Sequence, residues 1–254
     1  MILDGSIHSW DERRDIIALS TEEEAVAFAA EHWIHTAQRA IQQKGHFFVA
    51  LSGGSTPQKI YAQIVSRYKD AIDWTKVHLF WSDERDVPLN HTESNYYMAM
   101  ESGFKTLPIP PNQIHPMRTK ADTVASAADY EDLLHRILGP SPFDLVMLGI
   151  GEDGHTASLF PHSLALQEEE KWVVSNTIPT TEKKRITFSF KAIHHSARIE
   201  ILVIGQSKQA IVPLVLNSAI RSPFPASAIG TNEVKALWIL DRAAAHLLSD
   251  SERS

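Results

Sequence analysis

The sequence predicts an α/β fold: a three-layer, open, mostly parallel doubly wound sheet of the Rossmann-like kind. Short apolar runs recur along the chain, helix-length segments separate them, and several runs end in loops rich in Gly, Ser, Asp, Arg and His. Strands of a parallel sheet are buried on both faces and so read as continuous apolar runs, joined by helical crossovers. The chain has 254 residues, 43% of them hydrophobic, enough for a substantial core. That length suits one large α/β domain or two small ones, and no internal repeat, low-complexity tract or obvious linker interrupts it.

The elements follow in order. Residues 21–44 form an amphipathic helix, with Ser20 and Glu23 as a capping box and Phe28, Trp33, Ala37, Ala40 and Ile41 at helical spacing before Gly45. HFFVAL (46–51) is a buried strand ending in SGGSTP, and a helix runs over 57–67. The strand at 77–81 ends in SDERDVP, ahead of a helix over 92–101. A proline-rich loop (108–116) and a helix over 121–138 lead to the third strand, FDLVMLG (143–149). RITFSF (185–190), RIEILVIG (198–205) and KALWIL (235–240) complete the strands, with a helix over 207–218.

Composition narrows the function. A formal charge of -7 lacks the basic excess of a nucleic-acid binder, so an anionic substrate needs a local basic pocket. The absence of cysteine excludes disulfides, thiolate catalysis and cysteine-ligated zinc. No run approaches the roughly 18 apolar residues of a membrane span, and MILDGSIHSWDERRD does not read as a signal peptide. Cytoplasmic residence is the expectation, with no membrane partner, and the oligomeric state stays open.

Function is sought in the loops at the carboxyl ends of the strands, where open α/β sheets bind ligands. GIGEDGH contains a literal G-x-G-x-x-G at Gly149, Gly151 and Gly154. A dinucleotide fingerprint also requires a long helix after the third glycine and a strand-end acid about 20 residues on, and neither is visible. In SGGSTP, Gly53 and Gly54 let backbone amides approach an anion, and Ser55 and Thr56 add hydroxyls. An ordinary strand-to-helix turn has the same composition. Lys59 stands at the wrong spacing for a nucleoside triphosphate loop, which favours a single phosphoryl group.

After the next strand, Arg85 offers a planar fork for phosphate or hydroxyl oxygens and Asp83 an acceptor for sugar hydroxyls. His155 is held in a tight glycine loop with Asp153 two residues before it. An imidazole, with a reference pKa of about 6.5, suits proton abstraction from water. Arg185 and Lys208 complete a positive pocket if their loops converge with that of Arg85. No metal is expected: His194 and His195 are sequential, and no ligand spacing of the His-Glu-x-x-His type occurs.

Taken together, LSGGSTP, WSDERDVPLNHTESNY, FDLVMLGIGEDGHTASLFP, KRITFSF and VIGQSK resemble the 6-phosphogluconolactonase family, in the same order over nearly the whole chain. The resemblance implies a single α/β domain over residues 1–254, related to the phosphosugar isomerases and deaminases. It also implies hydrolysis of 6-phospho-D-glucono-1,5-lactone in the oxidative pentose phosphate pathway, without a cofactor. His155 then matches the proposed general base, and the glycine loop, Arg85, Arg185 and Lys208 match the groups that hold substrate oxygens. Backbone amides over 151–155 are candidate donors to the lactone carbonyl. Ser189 departs from the threonine expected in RITFSF. Two rivals stand beside this reading. An aminosugar-phosphate isomerase/deaminase has a tyrosine at the place of Arg85 and a further acid after its Gly-His turn, where this chain has GHTASLFP. A non-catalytic phosphosugar-binding module is the other.

Overall fold

In chain order the elements are β1 (His8–Ser9), β2 (Arg14–Leu19), α1 (Glu22–Lys44), β3 (Phe47–Leu51), α2 (Ser55–Tyr68), β4 (Val77–Trp81), β5 (Asp83–Arg85) and α3 (Asn95–Glu101). There follow α4 (Thr123–Leu138), β6 (Leu145–Gly149), β7 (Val173–Thr177), β8 (Lys184–Phe188), α5 (Phe190–His194), β9 (Ile199–Val203), α6 (Ile211–Leu216) and β10 (Ala236–Asp241). They are seen in a computed structural model that describes residues 7–120, 122–220 and 222–248.

The larger sheet has the order β1-β2-β10-β9-β6-β3-β4, parallel throughout except for β1 against β2. Strand order reverses at β3: the chain steps to β4 on one side, then returns to place β6 on the other. The carboxyl ends of β3 and β6 therefore flank a topological switch point, the crevice where such sheets bind ligands.

Both faces of this sheet are covered, which accounts for its unbroken apolar strands. Successive residues of β3 point to opposite sides. Phe47 meets the Trp33 ring of α1 edge-on at 4.9 Å, and Phe48 stands edge-on to Phe80 at 6.1 Å. From Phe80 the second layer continues through Phe143 to Phe188 of β8, each step 5.4 Å between ring centroids. Tyr130 of α4 closes that layer, its hydroxyl accepting the Trp81 backbone N–H at 3.1 Å.

Several expectations shift. The RITFSF strand is not in the main sheet but in a separate antiparallel one of order β5-β8-β7. A short hairpin joins β7 to β8, a connection that only antiparallel strands permit. The capping box lies one residue later than expected. Thr21 Oγ1 accepts from the Glu24 N–H at 3.1 Å, and the Glu24 carboxylate accepts from the Ser20 N–H at 2.9 Å. Ser20-x-x-Glu23 and Thr21-x-x-Glu24 both fit the pattern, and the helix takes Thr21 as its N-cap. Helix α3 starts only at Asn95, where the Ser94 hydroxyl caps it. The segment 207–218 divides into a 3₁₀ turn, Gln206–Lys208, and α6.

The expected helix start at Ala121, the first six residues used against a signal peptide and the end of the expected domain at 249–254 lie outside the described residues. Among the described residues no helix is long and apolar enough to cross a membrane.

Candidate active site

The carboxyl ends of β3, β6 and β9, together with β5 and β8 of the small sheet, surround a cavity of about 360 Å³. Of the residues singled out in the sequence, Gly53, Gly54, Asp83, Arg85, His155, Arg185 and Lys208 line it. Ser55 and Thr56 do not; they open α2, whose N-terminus has no side-chain cap. Asp153 is not part of the lining; its half-exposed carboxylate meets His155, which is.

His155 follows β6 in an irregular turn, not a helix, so the third glycine of G-x-G-x-x-G does not open a dinucleotide site. Its Nδ1 lies 2.6 Å from Asp153 Oδ1, which also accepts the His155 backbone N–H at 3.1 Å. Burial works to raise the Asp153 carboxyl, but the hydrogen bonds from His155 outweigh it and hold the acid below the usual carboxylate range. Phe160 packs against the other side of the imidazole, ring centroids 4.4 Å apart. With Nδ1 engaged, Nε2 is the ring nitrogen left for chemistry. Gly151 is required at its position: a Cβ there would fall 2.1 Å from His155 Nδ1.

The expectation for the amides of 151–155 is corrected at Gly151, Gly154 and His155. Gly151 N–H donates to the His155 carbonyl, Gly154 N–H to the Gly151 carbonyl, and His155 N–H to Asp153. All three are engaged in folding the turn and do not face a ligand.

The two glycines after β3 serve different needs. Gly54 has φ +108, a backbone conformation that side chains disfavour. At Gly53 the constraint is contact: a Cβ would fall 1.8 Å from Asn95 Oδ1. Asn95 lines the cavity as well; it lies in the SNY that ends the motif WSDERDVPLNHTESNY but carries no signal there that separates it from its neighbours. Its Nδ2 donates to the Asp83 carbonyl at 2.9 Å and to Asp83 Oδ1 at 3.1 Å. Asp83 Oδ2 accepts from Ser158 Oγ at 2.6 Å, so both oxygens of this buried acid are anchored.

Convergence of the cations comes from the small sheet. Its register sets Arg85 directly opposite Arg185. Like charges placed so are unfavourable in an empty sheet, and an anion between them relieves the repulsion. Removal from water and the neighbouring Arg85 charge hold Arg185 below the usual guanidinium range. Lys208 reaches the same cavity from the turn after β9. The result is a cavity whose lining carries three cations together with Asp83 and Asn95.

Ser189 is buried and N-caps α5, its hydroxyl accepting from the Ala192 N–H at 3.4 Å and donating to the Lys171 carbonyl at 2.6 Å. Serine and threonine both serve as caps, so the departure from threonine leaves the cavity untouched. Two other histidines are structural: His78 and His115 stack on each other, where burial lowers each to about 4. His32 on α1 meets the fully buried Glu200 of β9 at 2.5 Å. Among the described residues no cluster of three or more His, Asp or Glu is arranged to hold a metal ion.

Known proteins resemble the chain over most of its length. Residues 20–238 match the family described as Glucosamine-6-phosphate isomerases/6-phosphogluconolactonase. A 6-phosphogluconolactonase of Chlamydia pneumoniae is 40% identical over 217 residues, 85% of this chain and 83% of that protein. The structure of 6-phosphogluconolactonase from Trypanosoma cruzi superposes with a TM-score of 0.84 at 25% identity, covering 96% of this chain and all of that one. A monomeric glucosamine-6-phosphate deaminase shares the fold, with a TM-score of 0.77 at 24% identity over 91% of this chain and 99% of its own. The sequence match over most of the chain, on a fold that gathers the strand-end motifs into one cavity, places this protein in the glucosamine-6-phosphate isomerase/6-phosphogluconolactonase family.

Proposed function

We propose that this chain is a cytoplasmic, single-domain 6-phosphogluconolactonase that hydrolyses 6-phospho-D-glucono-1,5-lactone to 6-phospho-D-gluconate in the oxidative pentose phosphate pathway. The observation that carries the mechanism is the His155–Asp153 pair at 2.6 Å on the wall of a cavity with a basic side. A δ-lactone is an activated ester, so the protein needs only to orient it, activate one water and steady the developing charge.

The substrate phosphate lies against Arg85, Arg185 and Lys208, and ring hydroxyls face Asp83. Asp153 accepts from the Nδ1–H of His155 and leaves Nε2 as the base. Nε2 takes a proton as water attacks the carbonyl carbon, and Asp153 stabilises the imidazolium that results. The tetrahedral intermediate collapses with cleavage of the bond to the ring oxygen, which takes the proton back from Nε2. The new carboxylic acid then ionises and leaves one proton in solution.

That proton is the measurable product. Wild type should accelerate acid release from freshly generated 6-phosphogluconolactone near neutral pH. A well-folded protein that leaves the spontaneous rate unchanged would sink the lactonase reading. Ammonia release from glucosamine 6-phosphate is then the test of the deaminase alternative, and phosphosugar binding without turnover would indicate a binding module.

A further inference from the structure

The structure assigns a role to Glu84, the residue between the two substrate-facing side chains of β5: we infer that it is a positioning residue that sets Arg85 for phosphate. The inference rests on the lactonase reading for its substrate, but its geometry stands alone. In a strand, alternate residues face opposite sides. Asp83 and Arg85 accordingly line the cavity, and Glu84 turns away from it and is 0% exposed.

There its carboxylate gathers four donors. Oε1 accepts the backbone N–H groups of Arg85 and Asn95, both at 2.8 Å. Oε2 accepts the Ser94 hydroxyl at 3.0 Å and the Tyr96 N–H at 2.9 Å. The segment so held returns two contacts to the cavity. The Glu93 carbonyl accepts from the Arg85 guanidinium, and the Asn95 amide holds Asp83. Each residue of β5 thus grips residues 93–96, and Glu84 fixes that segment from behind.

A buried carboxylate is costly unless its lone pairs are filled, and here backbone donors fill them. Burial raises the Glu84 acid, opposed by hydrogen bonds from Tyr96, Asn95 and Arg85. An amide in its place turns an NH₂ group toward backbone N–H donors. One pair is then donor against donor, the segment must shift, and the carbonyl that orients Arg85 shifts with it.

The test compares wild type, Glu84→Gln and Ser94→Ala for lactonase kcat and KM, and for the affinity of inorganic phosphate by calorimetry. Ser94→Ala keeps the charge and removes one donor. Glu84→Gln should raise KM about tenfold and weaken phosphate by a similar factor, with kcat within about threefold. Ser94→Ala should move both in the same direction by about threefold. Loss of kcat at unchanged KM and phosphate affinity would reduce Glu84 to general support of the fold and overturn the assignment. Unchanged values in folded Glu84→Gln, or in Ser94→Ala should Glu84→Gln not fold, would overturn it as well. Calorimetry needs no turnover, so an inactive wild type would sink the lactonase reading and leave this one to be decided by phosphate alone.

Discussion

The His155–Asp153 and His32–Glu200 pairs hold an imidazole Nδ1 against a carboxylate oxygen at 2.6 and 2.5 Å, and differ in almost everything around them. The first sits in a glycine turn on a cavity wall, its side chains 30% and 52% exposed. The second ties α1 to the second residue of β9, with Glu200 fully buried and one of its oxygens without a partner. An imidazole–carboxylate contact is common to both, so it does not by itself mark a site of chemistry. His155 differs in lining the cavity that Arg85, Arg185 and Lys208 also line. Burial pulls the His32 imidazole down, yet the Glu200 charge and hydrogen bond outweigh it and hold it above its ordinary 6.5.

The sharpest way to break this comparison is to remove each imidazole. His155→Ala should lower the lactonase rate by about 10²- to 10⁴-fold, the usual contribution of a positioned acid–base, with an unchanged melting temperature. His32→Ala should do the reverse. It leaves a buried carboxylate unpaired and should destabilise the fold at pH 6 by about 3–5 kcal/mol in urea titrations, with kcat of the folded fraction retained. Comparable activity losses in the two variants would erase the distinction. The His32 contribution also has a predictable pH course. A raised imidazole stabilises fully below 6.5 and loses that contribution as pH rises through its folded-state value above 6.5. Wild-type stability should decline over that window, and His32→Ala should lack this part of the decline.

Smaller changes sharpen the picture within the glycine turn around His155. Gly151→Ala puts a Cβ where the His155 ring now lies and should cost about 10²-fold in kcat, since small misplacements of a reacting group have that effect. A normal kcat in this variant would show that the ring need not be where it is seen. Ala157, on the same cavity wall, has φ 46, which a side chain disfavours. Ala157→Gly should stabilise the protein by about 0.5–1 kcal/mol in thermal melts, the relief of the left-handed conformation exceeding the entropy lost by glycine. A loss of stability would mean that the turn is not strained there.

Local chemistry in this chain was readable, and non-local pairing was not. The apolar runs at β3, β4, β6, β9 and β10 announce buried parallel strands because their burial is nearly complete. His155 is legible for a similar reason: glycines, a neighbouring acid and a strand end coincide within one segment. β5 is three charged or acidic residues, Asp83–Arg85, with no apolar alternation to betray it. Its partner β8 lies far along the chain, so the meeting of Arg85 with Arg185 depends on a register that no local pattern encodes. Glu84 shows the same limit. Its neighbours made it one member of a charge cluster, and only the fold turns it inward onto α3.

The contact between Gly53 and Asn95 has a consequence for how this sequence can change. The carboxamide fills the place that any side chain at position 53 would take. The two positions therefore behave as one locus with two addresses: enlarging the first is tolerable only if the second shrinks. Gly53→Ala and Asn95→Gly, each damaging alone, should partly compensate when combined, and variation at either position is governed by volume shared across the crevice before any ligand enters it.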